Sequence, residues 1–355
     1  MNASSLPPDP DGLQQDVRLA PLTTIGIGGP ARYFLKASDS DTIVLALDWA
    51  RSRGLPVFVL GGGSNLLIAD KGFEGLVLQI GLRGVTLESQ SDDFVMVKAA
   101  AGEAWDPFVE HVGRKGWAGI ECLSGIPGLV GATPIQNVGA YGQDVSETIA
   151  RVEALDRTTG VVVWFTNDDC RFGYRSSRFK NAEPDRFIIL SVTFRLRRGG
   201  AAIIRYPELG KALVESGVAL HDLERVRDTV IGIRKRKGMV IDPADPDSRS
   251  DGSFFMNPIL TAVEFEAFLR KAPDAPHFTA DDGVKLSAAW LIEQAGFRKG
   301  FSHGNVGISS KHTLALINRG DGSAAEISEL VSLIQQRVRE RFGVEIHPEP
   351  NFVGF

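Results

Sequence analysis

Short apolar runs alternate with glycine- and aspartate-rich turns in the first third of the chain, and they predict a small β-α-β-loop-β lobe. Residues 31–37, 55–60 and 75–80 are rich in the β-branched and aromatic side chains that favour strands. Serine and aspartate side chains at positions 38–41 can cap a helix that runs to about residue 53.

The rest of the chain predicts further strands and helices in no repeating order. A second block at about 84–198 combines strand-like runs with a helix at 105–115. The later part predicts helices at 223–237, 262–271, 284–295 and 324–342, and a strand at 313–318. This layout predicts an α+β fold with a disordered tail at 1–18, lobes at 19–83 and 84–238, and a C-terminal domain at 239–355.

Composition and charge exclude several classes of protein. The apolar fraction of 43% and the charged fraction of 23% are typical of a soluble globular protein, and the net charge of −5 does not favour nucleic-acid binding. We expect no signal peptide, no membrane helix and no metal site, because basic-then-apolar N-terminal patterning, long apolar runs and metal-ligand spacing are absent from the sequence. The two cysteines, Cys122 and Cys170, have no paired spacing, which favours a reducing cytoplasm over a disulfide framework.

The segment VLGGGSNLLI, at 59–68, places three consecutive glycines between apolar runs. Glycines let backbone N–H groups turn toward one point and bind an anion such as a phosphate. No lysine follows as in a Walker loop, and the spacing is not that of a Rossmann fingerprint. A tight turn between two strands is the structural alternative.

A second glycine-rich segment, SGIPGLVGATPIQNVGAYGQDV at 124–145, changes this interpretation. It is long and apolar, which is typical of a functional loop in a compact domain. Two such loops favour an extended ligand with a diphosphate and rings, such as a dinucleotide cofactor. A glycine-rich surface loop remains the alternative.

Three further residues stand in unusual local contexts. Arg175 lies in CRFGYRSSRFK, Ser253 in SDGSFFMNP and Glu349 in HPEPNF. No histidine neighbours Ser253, so a proton donor or a structural hydroxyl is favoured over a nucleophile. Taken alone, Arg175 and Glu349 are ordinary surface charges.

Taken together and in order, six segments resemble the UDP-N-acetylenolpyruvoylglucosamine reductase family, also called UDP-N-acetylmuramate dehydrogenase. These segments are LTTIGIGGPARYF, VLGGGSNLLI, GIPGLVGATPIQNVGAYGQDV, CRFGYRSSRFK, GSFFMNP and HPEPNFVG. The YRSSRFK segment and the stretch with Tyr206 resemble the subtype with an extra tyrosine-bearing loop. This resemblance implies a two-lobed FAD-binding fold of the vanillyl-alcohol-oxidase (PCMH) type and a C-terminal α+β substrate-binding domain.

The resemblance also implies ligands and residue roles. FAD would be noncovalent, because no histidine or cysteine lies in the first glycine loop. NADPH would reduce it, and the substrate would be UDP-N-acetylglucosamine enolpyruvate, in peptidoglycan precursor synthesis. The implied cofactor-binding residues are Gly61, Gly62, Gly63, Ser64, Asn65, Gly125, Ile126, Pro127, Gly128, Gly131, Ala132, Gln136, Asn137, Gly139, Ala140 and Tyr141. The implied substrate-binding residues are Tyr174, Tyr206, Lys237, Asn257 and Gln294.

In the implied reaction Arg175, Ser253 and Glu349 are catalytic. Arg175 would bind the substrate carboxylate, Ser253 would protonate the α-carbon, and Glu349 would donate a hydrogen bond if protonated or orient its neighbours if ionised. Departures from the family pattern at Thr23, Met256 and Asn351 weaken other ligand contacts.

Two other functions remain open from the sequence. One is a different oxidoreductase on the same FAD fold, and the other is a UDP-sugar-binding or regulatory protein that has lost catalysis. The intact contexts of Arg175, Ser253 and Glu349 favour the reductase. We expect a cytoplasmic monomer that binds no nucleic acid and no membrane.

Overall fold

Strands and short helices follow one another irregularly in the computed structural model, which describes residues 7–280 and 283–355. The strands are β1 Gln14–Arg18, β2 Pro30–Ala37, β3 Val57–Leu60, β4 Leu66–Ile68, β5 Phe73–Ile80, β6 Val85–Gln90, β7 Phe94–Ala100, β8 Trp117–Ala118, β9 Gly139–Ala140, β10 Gln143–Asp144, β11 Ile149–Asp156, β12 Val162–Thr166, β13 Phe187–Arg198, β14 Ser250–Ser253, β15 Ile259–Leu260, β16 His277–Ala280, β17 Gly283–Leu286, β18 Ser302–His303, β19 Val306–Ile308, β20 Ala315–Asn318 and β21 Asn351–Val353. The helices are α1 Ser40–Ser52, α2 Trp105–Arg114, α3 Thr133–Gln136, α4 Pro207–Glu215, α5 Leu223–Arg236, α6 Ala262–Leu269, α7 Ala288–Gln294 and α8 Ala324–Phe342.

The chain divides into two compact units, and neither is one continuous stretch. Unit 1 consists of Met1–Val17, Ala31–Gly62 and Glu74–Lys235. Unit 2 consists of Arg18–Pro30, Gly63–Phe73 and Arg236–Phe355. The first glycine loop therefore contributes Gly62 to one unit and Gly63 to the other.

Unit 1 is built on two sheets. One has the strand order β1-β2-β5-β3, with β3 and β5 parallel, and the other has the order β12-β11-β13-β7-β6, with β8 paired to β13. Alternate residues of these strands are buried together with α1 and α2 in one hydrophobic core that includes Trp49, Trp105 and Phe194. Burial of such large side chains is the main force that holds the sheets of the unit together.

Unit 2 surrounds the long helix α8. Ser323 caps this helix in a reciprocal capping box with Glu326, and Gly343 ends it in the left-handed conformation. One face of α8 is buried with Phe254, Phe255 and the strands β19 and β20. The sheet β14-β20-β19-β18 and the smaller sheet β15-β17-β16 complete the unit.

The segment that follows the first glycine loop belongs to unit 2 for two reasons. Its strand β4 pairs in parallel with β21, near the C-terminus. Asp70 then accepts hydrogen bonds from the backbone N–H groups of Ala324 and Ala325, at 2.8 and 3.0 Å, in the first turn of α8. Both contacts satisfy backbone groups that would otherwise be unpaired.

Several sequence-based predictions are wrong in detail. The tail predicted at 1–18 contains strand β1, which pairs with β2, and Leu13, which packs against the core of unit 1. Its composition is polar because an edge strand is held by backbone hydrogen bonds and needs few apolar side chains. Residues 1–6 of this tail lie outside the described residues. The predicted boundary at residue 83 also differs from the structure, since residues on either side of it share one core.

Two helices also differ from prediction. The helix predicted at 284–295 begins only at Ala288, because Gly283–Leu286 is the central strand between β15 and β16. Helix α4, Pro207–Glu215, was not predicted. By contrast, the helix predicted at 324–342 is confirmed at both ends by α8.

We expect Asp70→Ala to lower the free energy of unfolding by about 1 kcal/mol, because α8 loses part of its N-terminal cap. Urea unfolding followed by circular dichroism measures this change. Asp70→Asn keeps one acceptor oxygen and should lose less. An unchanged urea midpoint for Asp70→Ala would show that the Ser323 capping box alone is sufficient.

Candidate functional site

In unit 1 the two glycine-rich segments meet backbone to backbone. Gly61 and Gly62 directly follow strand β3. A Cβ added to Gly62 would lie 2.7 Å from the Cα of Gly128 in the second segment. Such a contact is closer than a side chain permits, so glycine is required at Gly62. At Gly61 an added Cβ would meet no atom of the described residues within 4 Å, which leaves its backbone open to a ligand.

The second glycine segment is tied to the residues that lead into α2. The N–H groups of Val130 and Gly131 donate to Glu103 and Ala101, each at 2.9 Å, and Trp105 N–H donates to Gly128 at 3.0 Å. These bonds pair backbone N–H and C=O groups of the long loop, much as a neighbouring strand would in a sheet. The loop is therefore tied to the body of unit 1 by backbone hydrogen bonds.

A partly buried ion pair fixes the beginning of this segment. Asp106 accepts a hydrogen bond from Gly125 N–H at 2.5 Å and pairs with both guanidinium nitrogens of Arg227 in α5. Burial alone would raise the pKa of Asp106, but the hydrogen bonds from Arg227 and Gly125 and the charges of Arg227 and Arg234 outweigh it and lower this pKa. Asp106 is therefore ionised at neutral pH and holds Gly125 in place.

Arg175 lies against the same segment. Its Nη2 donates to the carbonyl of Gly139 at 2.6 Å, its Nη1 donates to that of Asn137 at 3.3 Å, and Asp144 is 3.8 Å away. The guanidinium carbon is 5.3 Å from the centre of the Tyr174 ring, at cation–π distance. Arg175 therefore contacts Tyr174, which is predicted to bind substrate, and also Asn137 and Gly139, which are predicted to bind cofactor.

Tyr206 and Tyr141 also come together. Their rings are 5.4 Å apart in an edge-to-face arrangement, with Tyr206 immediately before α4. Tyr141 hydrogen-bonds the buried Arg234 of α5, whose pKa is lowered by burial. Tyr206 keeps 41% of its surface exposed, so a ligand can reach it.

In unit 2 the end of the first glycine loop lies beside the C-terminal segment. Asn65 Nδ2 donates to the backbone carbonyl of Glu349 at 3.3 Å, and Asn351 N–H donates to the carbonyl of Asn65 at 3.0 Å. These bonds continue the pairing of β4 with β21. Residues more than 280 positions apart are thereby adjacent.

Ser253 and Glu349 lie on neighbouring segments of unit 2. Glu349 N–H donates to the carbonyl of Phe254 at 2.8 Å, and Met256 N–H donates to that of His347 at 3.0 Å. The half-buried hydroxyl of Ser253 makes no hydrogen bond to any described residue, and no histidine activates it. Main-chain hydrogen bonds therefore hold the Ser253 and Glu349 segments side by side.

Asp251, two residues before Ser253, was not singled out by the sequence. Its side chain is fully buried and accepts a hydrogen bond from Thr24 Oγ1 at 3.0 Å. Burial raises its pKa to about 8, although hydrogen bonds from Thr24 and the Leu66 N–H oppose this effect. The residue is easily missed, because a lone aspartate in a glycine-rich turn is ordinary in sequence.

The remaining predicted substrate residues of unit 2 lie at the ends of α5 and α7. Lys237 directly follows α5, and Asn257 Oδ1 accepts from Ala288 N–H at 2.9 Å, at the start of α7. Gln294 is exposed at the other end of α7, roughly 9 Å away at 1.5 Å rise per residue. Gln294 instead lines a surface cavity of about 520 Å³ with Arg298, Lys299 and Arg341.

Each of the three departures from the family pattern makes hydrogen bonds within the structure. The hydroxyl of Thr23 donates to the carbonyls of Ala20 and Ile27, each at 3.0 Å, and is buried in a local turn. Met256 and Asn351 contribute backbone hydrogen bonds to their neighbours, as described above. Among the described residues, no group of three histidine, cysteine or carboxylate side chains could hold a metal ion.

The residues present fit a dinucleotide cofactor of the FAD type. A Cβ at Gly61 would meet no described atom within 4 Å, so its backbone is accessible to a ligand. Backbone hydrogen bonds hold the second glycine segment beside it. The predicted cofactor residues of unit 1 are Gly61, Gly62 and those from Gly125 to Tyr141, whereas Gly63, Ser64 and Asn65 belong to unit 2.

Comparison with known proteins identifies what the chain is similar to. The family model "UDP-N-acetylenolpyruvoylglucosamine reductase, C-terminal domain" matches residues 243–353, and the model "FAD binding domain" matches residues 31–166. The UDP-N-acetylenolpyruvoylglucosamine reductase of Streptomyces coelicolor is 48% identical over 96% of this chain and 90% of its own length. That of Thermobifida fusca is 45% identical over 96% of this chain and 98% of its own length.

A solved structure shares the fold. The crystal structure of UDP-N-acetylenolpyruvylglucosamine reductase from Thermus caldophilus matches with a TM-score of 0.66 and 24% identity, over 95% of this chain and 97% of that chain. The predicted α+β FAD-binding fold with a C-terminal α+β domain is confirmed.

We expect Gly62→Ala to lower the free energy of unfolding by about 1–3 kcal/mol and to weaken FAD binding, because its methyl group would push against Gly128. Gly61→Ala is the matched control for folding, since its methyl group has free space in the protein alone. Gly61→Ala should still weaken FAD binding if the cofactor approaches this backbone. Flavin fluorescence titration and urea unfolding separate the two effects. Wild-type FAD affinity in both variants would exclude this loop as a cofactor contact.

Proposed function

The chain belongs to the UDP-N-acetylenolpyruvoylglucosamine reductase family, and we propose that it reduces UDP-N-acetylglucosamine enolpyruvate to UDP-N-acetylmuramate with NADPH, in the synthesis of peptidoglycan precursors. FAD, held by the two glycine-rich segments, would supply the hydride-transfer chemistry between NADPH and the vinyl carbon of the substrate. The observation that carries this proposal is the adjacency of the Ser253 and Glu349 segments, with Asn65 of the glycine loop beside them.

Arg175 binds the carboxylate of the enolpyruvyl group. Hydride addition to the vinyl carbon builds negative charge on the adjacent carbon and on that carboxylate, and a cation placed there stabilises it. A guanidinium stays charged at every physiological pH and can hold a carboxylate through two parallel hydrogen bonds. The bonds of Arg175 to Gly139 and Asn137 fix its side chain and support this role.

Ser253 gives its hydroxyl proton to the carbon that carries the developing charge. A serine is a weak acid, but the intermediate is strongly basic, and correct placement contributes more than the acidity of the donor. The Ser253 hydroxyl has no hydrogen-bond partner among the residues that the structure describes, which keeps its proton available. Glu349 completes the group by hydrogen-bonding the enolate-like oxygen or by orienting its neighbours.

The UDP group is bound by the remaining predicted residues. Tyr206 covers the nucleotide, and Lys237 pairs with its diphosphate, as the charge of an ammonium permits. Tyr174 and Asn257 contribute further contacts, and Gln294 stays a prediction despite its distance from Asn257. The pair of Tyr206 with Tyr141 supports the tyrosine-loop subtype.

The cofactor is noncovalent FAD and the protein is a cytoplasmic monomer. Both cysteines are buried and unpaired, and burial raises the pKa of each thiol to about 12, so neither reacts readily. This supports a reducing compartment. In the part of the chain that the structure describes, no helix is both long and apolar enough to cross a lipid bilayer.

An anaerobic optical experiment tests the function. The purified protein with FAD is reduced by NADPH, and the enolpyruvyl UDP-sugar is then added while flavin absorbance is followed. We expect absorbance to return as UDP-N-acetylmuramate forms. A reduced flavin that ignores this substrate would favour another oxidoreductase of this fold. A protein that binds the UDP-sugar but no FAD would favour a binding protein without catalysis.

We expect Ser253→Ala to leave flavin reduction by NADPH within about twofold and to slow reoxidation by substrate about 10²–10⁴-fold, the usual contribution of a proton donor. Stopped-flow absorbance measures the two half-reactions separately. Ser332→Ala, an exposed serine of α8 in the same unit, is the control. Equal slowing of both half-reactions would contradict the role of Ser253 as proton donor.

A further inference from the structure

Ser253 stands at the end of a bulge in β14. Ser250 pairs with Ile317 and Ser253 pairs with Ala315, so Asp251 and Gly252 together oppose the single residue Leu316. Gly252 adopts a φ of +75°, which favours glycine. Bulges of this kind redirect the side chains that follow them, and they are common beside active sites. The direction of the Ser253 hydroxyl therefore depends on what holds the bulge.

The side chain of Asp251 holds the bulge against the glycine loop. Its Oδ1 accepts from Thr24 Oγ1 at 3.0 Å, and the Leu66 N–H acts on the pKa of the same carboxyl. Thr24 N–H in turn donates to the carbonyl of Gly63 at 2.9 Å. The carboxyl thus connects the strand of Ser253 to the residues on both sides of Ser64 and Asn65, within one unit.

The Asp251 carboxyl lies in surroundings that favour its neutral form. Its second oxygen is buried and has no hydrogen-bond partner among the described residues. Burial raises the pKa of Asp251 to about 8, and within the described residues no ionised side chain contributes to this shift. The groups that face the carboxyl, the Thr24 hydroxyl and the Leu66 N–H, do not titrate between pH 4 and about 9. A neutral carboxyl keeps both hydrogen bonds without the cost of a buried, unpaired charge.

We propose that Asp251 is a positioning residue for the second half-reaction: its carboxyl fixes the β14 bulge to Thr24 and Leu66 and so holds the Ser253 hydroxyl in place relative to Asn65. This inference rests on the proposed role of Ser253 as proton donor. Asp251 touches neither substrate nor cofactor in this assignment and acts through the backbone of the bulge. Misplacing a catalytic group by about 1 Å can slow a reaction about 100-fold.

The test compares Asp251→Asn and Asp251→Ala in the FAD-loaded protein, with the exposed Asp321→Asn as control. Asp251→Asn resembles the neutral acid and keeps an acceptor for Thr24, so substrate-driven reoxidation should stay within about threefold of wild type. Asp251→Ala releases the bulge and should slow reoxidation about 100-fold, while NADPH reduces the flavin at nearly the normal rate. Flavin fluorescence checks that FAD is retained.

The pH dependence gives a readout that a purely structural role would not change. In the wild type, reoxidation should slow as pH rises through about 8, because ionisation of Asp251 places a charge in the buried bulge. Asp251→Asn should remove this slowing, and Asp321→Asn should not. The same decrease of rate with pH in Asp251→Asn as in wild type would overturn the inference, and this arm remains decisive if Asp251→Ala does not fold.

The free energy of unfolding should also depend on pH through the ionisation of Asp251. The pKa of Asp251 is raised from 3.8 in the unfolded chain to about 8 in the folded one, so the folded state binds the extra proton between these values. The contribution of Asp251 to the free energy of unfolding is therefore fully present below pH 3.8 and is lost as pH rises through about 8. Unfolding of Asp251→Asn measured from pH 5 to 9 should lack this decline.

Ser253→Ala measured in parallel separates the two proposals. Slow reoxidation in Ser253→Ala with normal reoxidation in Asp251→Ala would overturn the role of Asp251 and leave the proposed function standing. Normal reoxidation in Ser253→Ala would overturn the proposed role of Ser253 and, with it, the inference for Asp251. Loss of FAD or equal slowing of both half-reactions in Asp251→Ala would mean that the residue is only structural.

Discussion

The parallel pairing of β4 with β21 determines where the candidate residues of unit 2 lie. This three-residue ladder joins the segment after the first glycine loop to the last residues of the chain. Because backbone partners are fixed by the ladder, Asn65 necessarily contacts the Glu349 segment, which in turn binds the backbone beside Ser253. Three segments that the sequence separates widely are thus held together mainly by main-chain hydrogen bonds.

Two carboxyl groups, Asp106 partly buried and Asp251 buried, stabilise the candidate segments by opposite means. Asp106 is partly buried against Arg227 and is ionised, because a cation and an N–H group compensate its charge. Asp251 is buried beside the Thr24 hydroxyl, and burial raises its pKa to about 8. The first anchors the long glycine segment of unit 1, and the second anchors the bulge of β14 in unit 2. Each unit therefore orders its functional loop through one acidic side chain.

The glycine segments owe their shape to close backbone contact. Where Gly62 faces Gly128, even a methyl group has no room, whereas Gly61 keeps its backbone accessible. Arg175 reinforces this arrangement by donating to carbonyls of the second segment. A guanidinium carries five N–H donors, and in the proposed function the same side chain also binds a carboxylate.

The sequence by itself determined the family, the α+β class and the extent of strongly periodic elements such as α8, because apolar periodicity, capping residues and ordered motifs are local properties.

Tertiary structure decided the rest. The edge strand β1, the central strand β17 and the discontinuous units depend on partners distant in sequence. The importance of Asp251 and Asp106 likewise comes from their surroundings in the fold and from partners up to 227 positions away. Such pairings leave no local pattern, since a carboxyl group has the same chemistry in any sequence and only its surroundings in the fold set its charge.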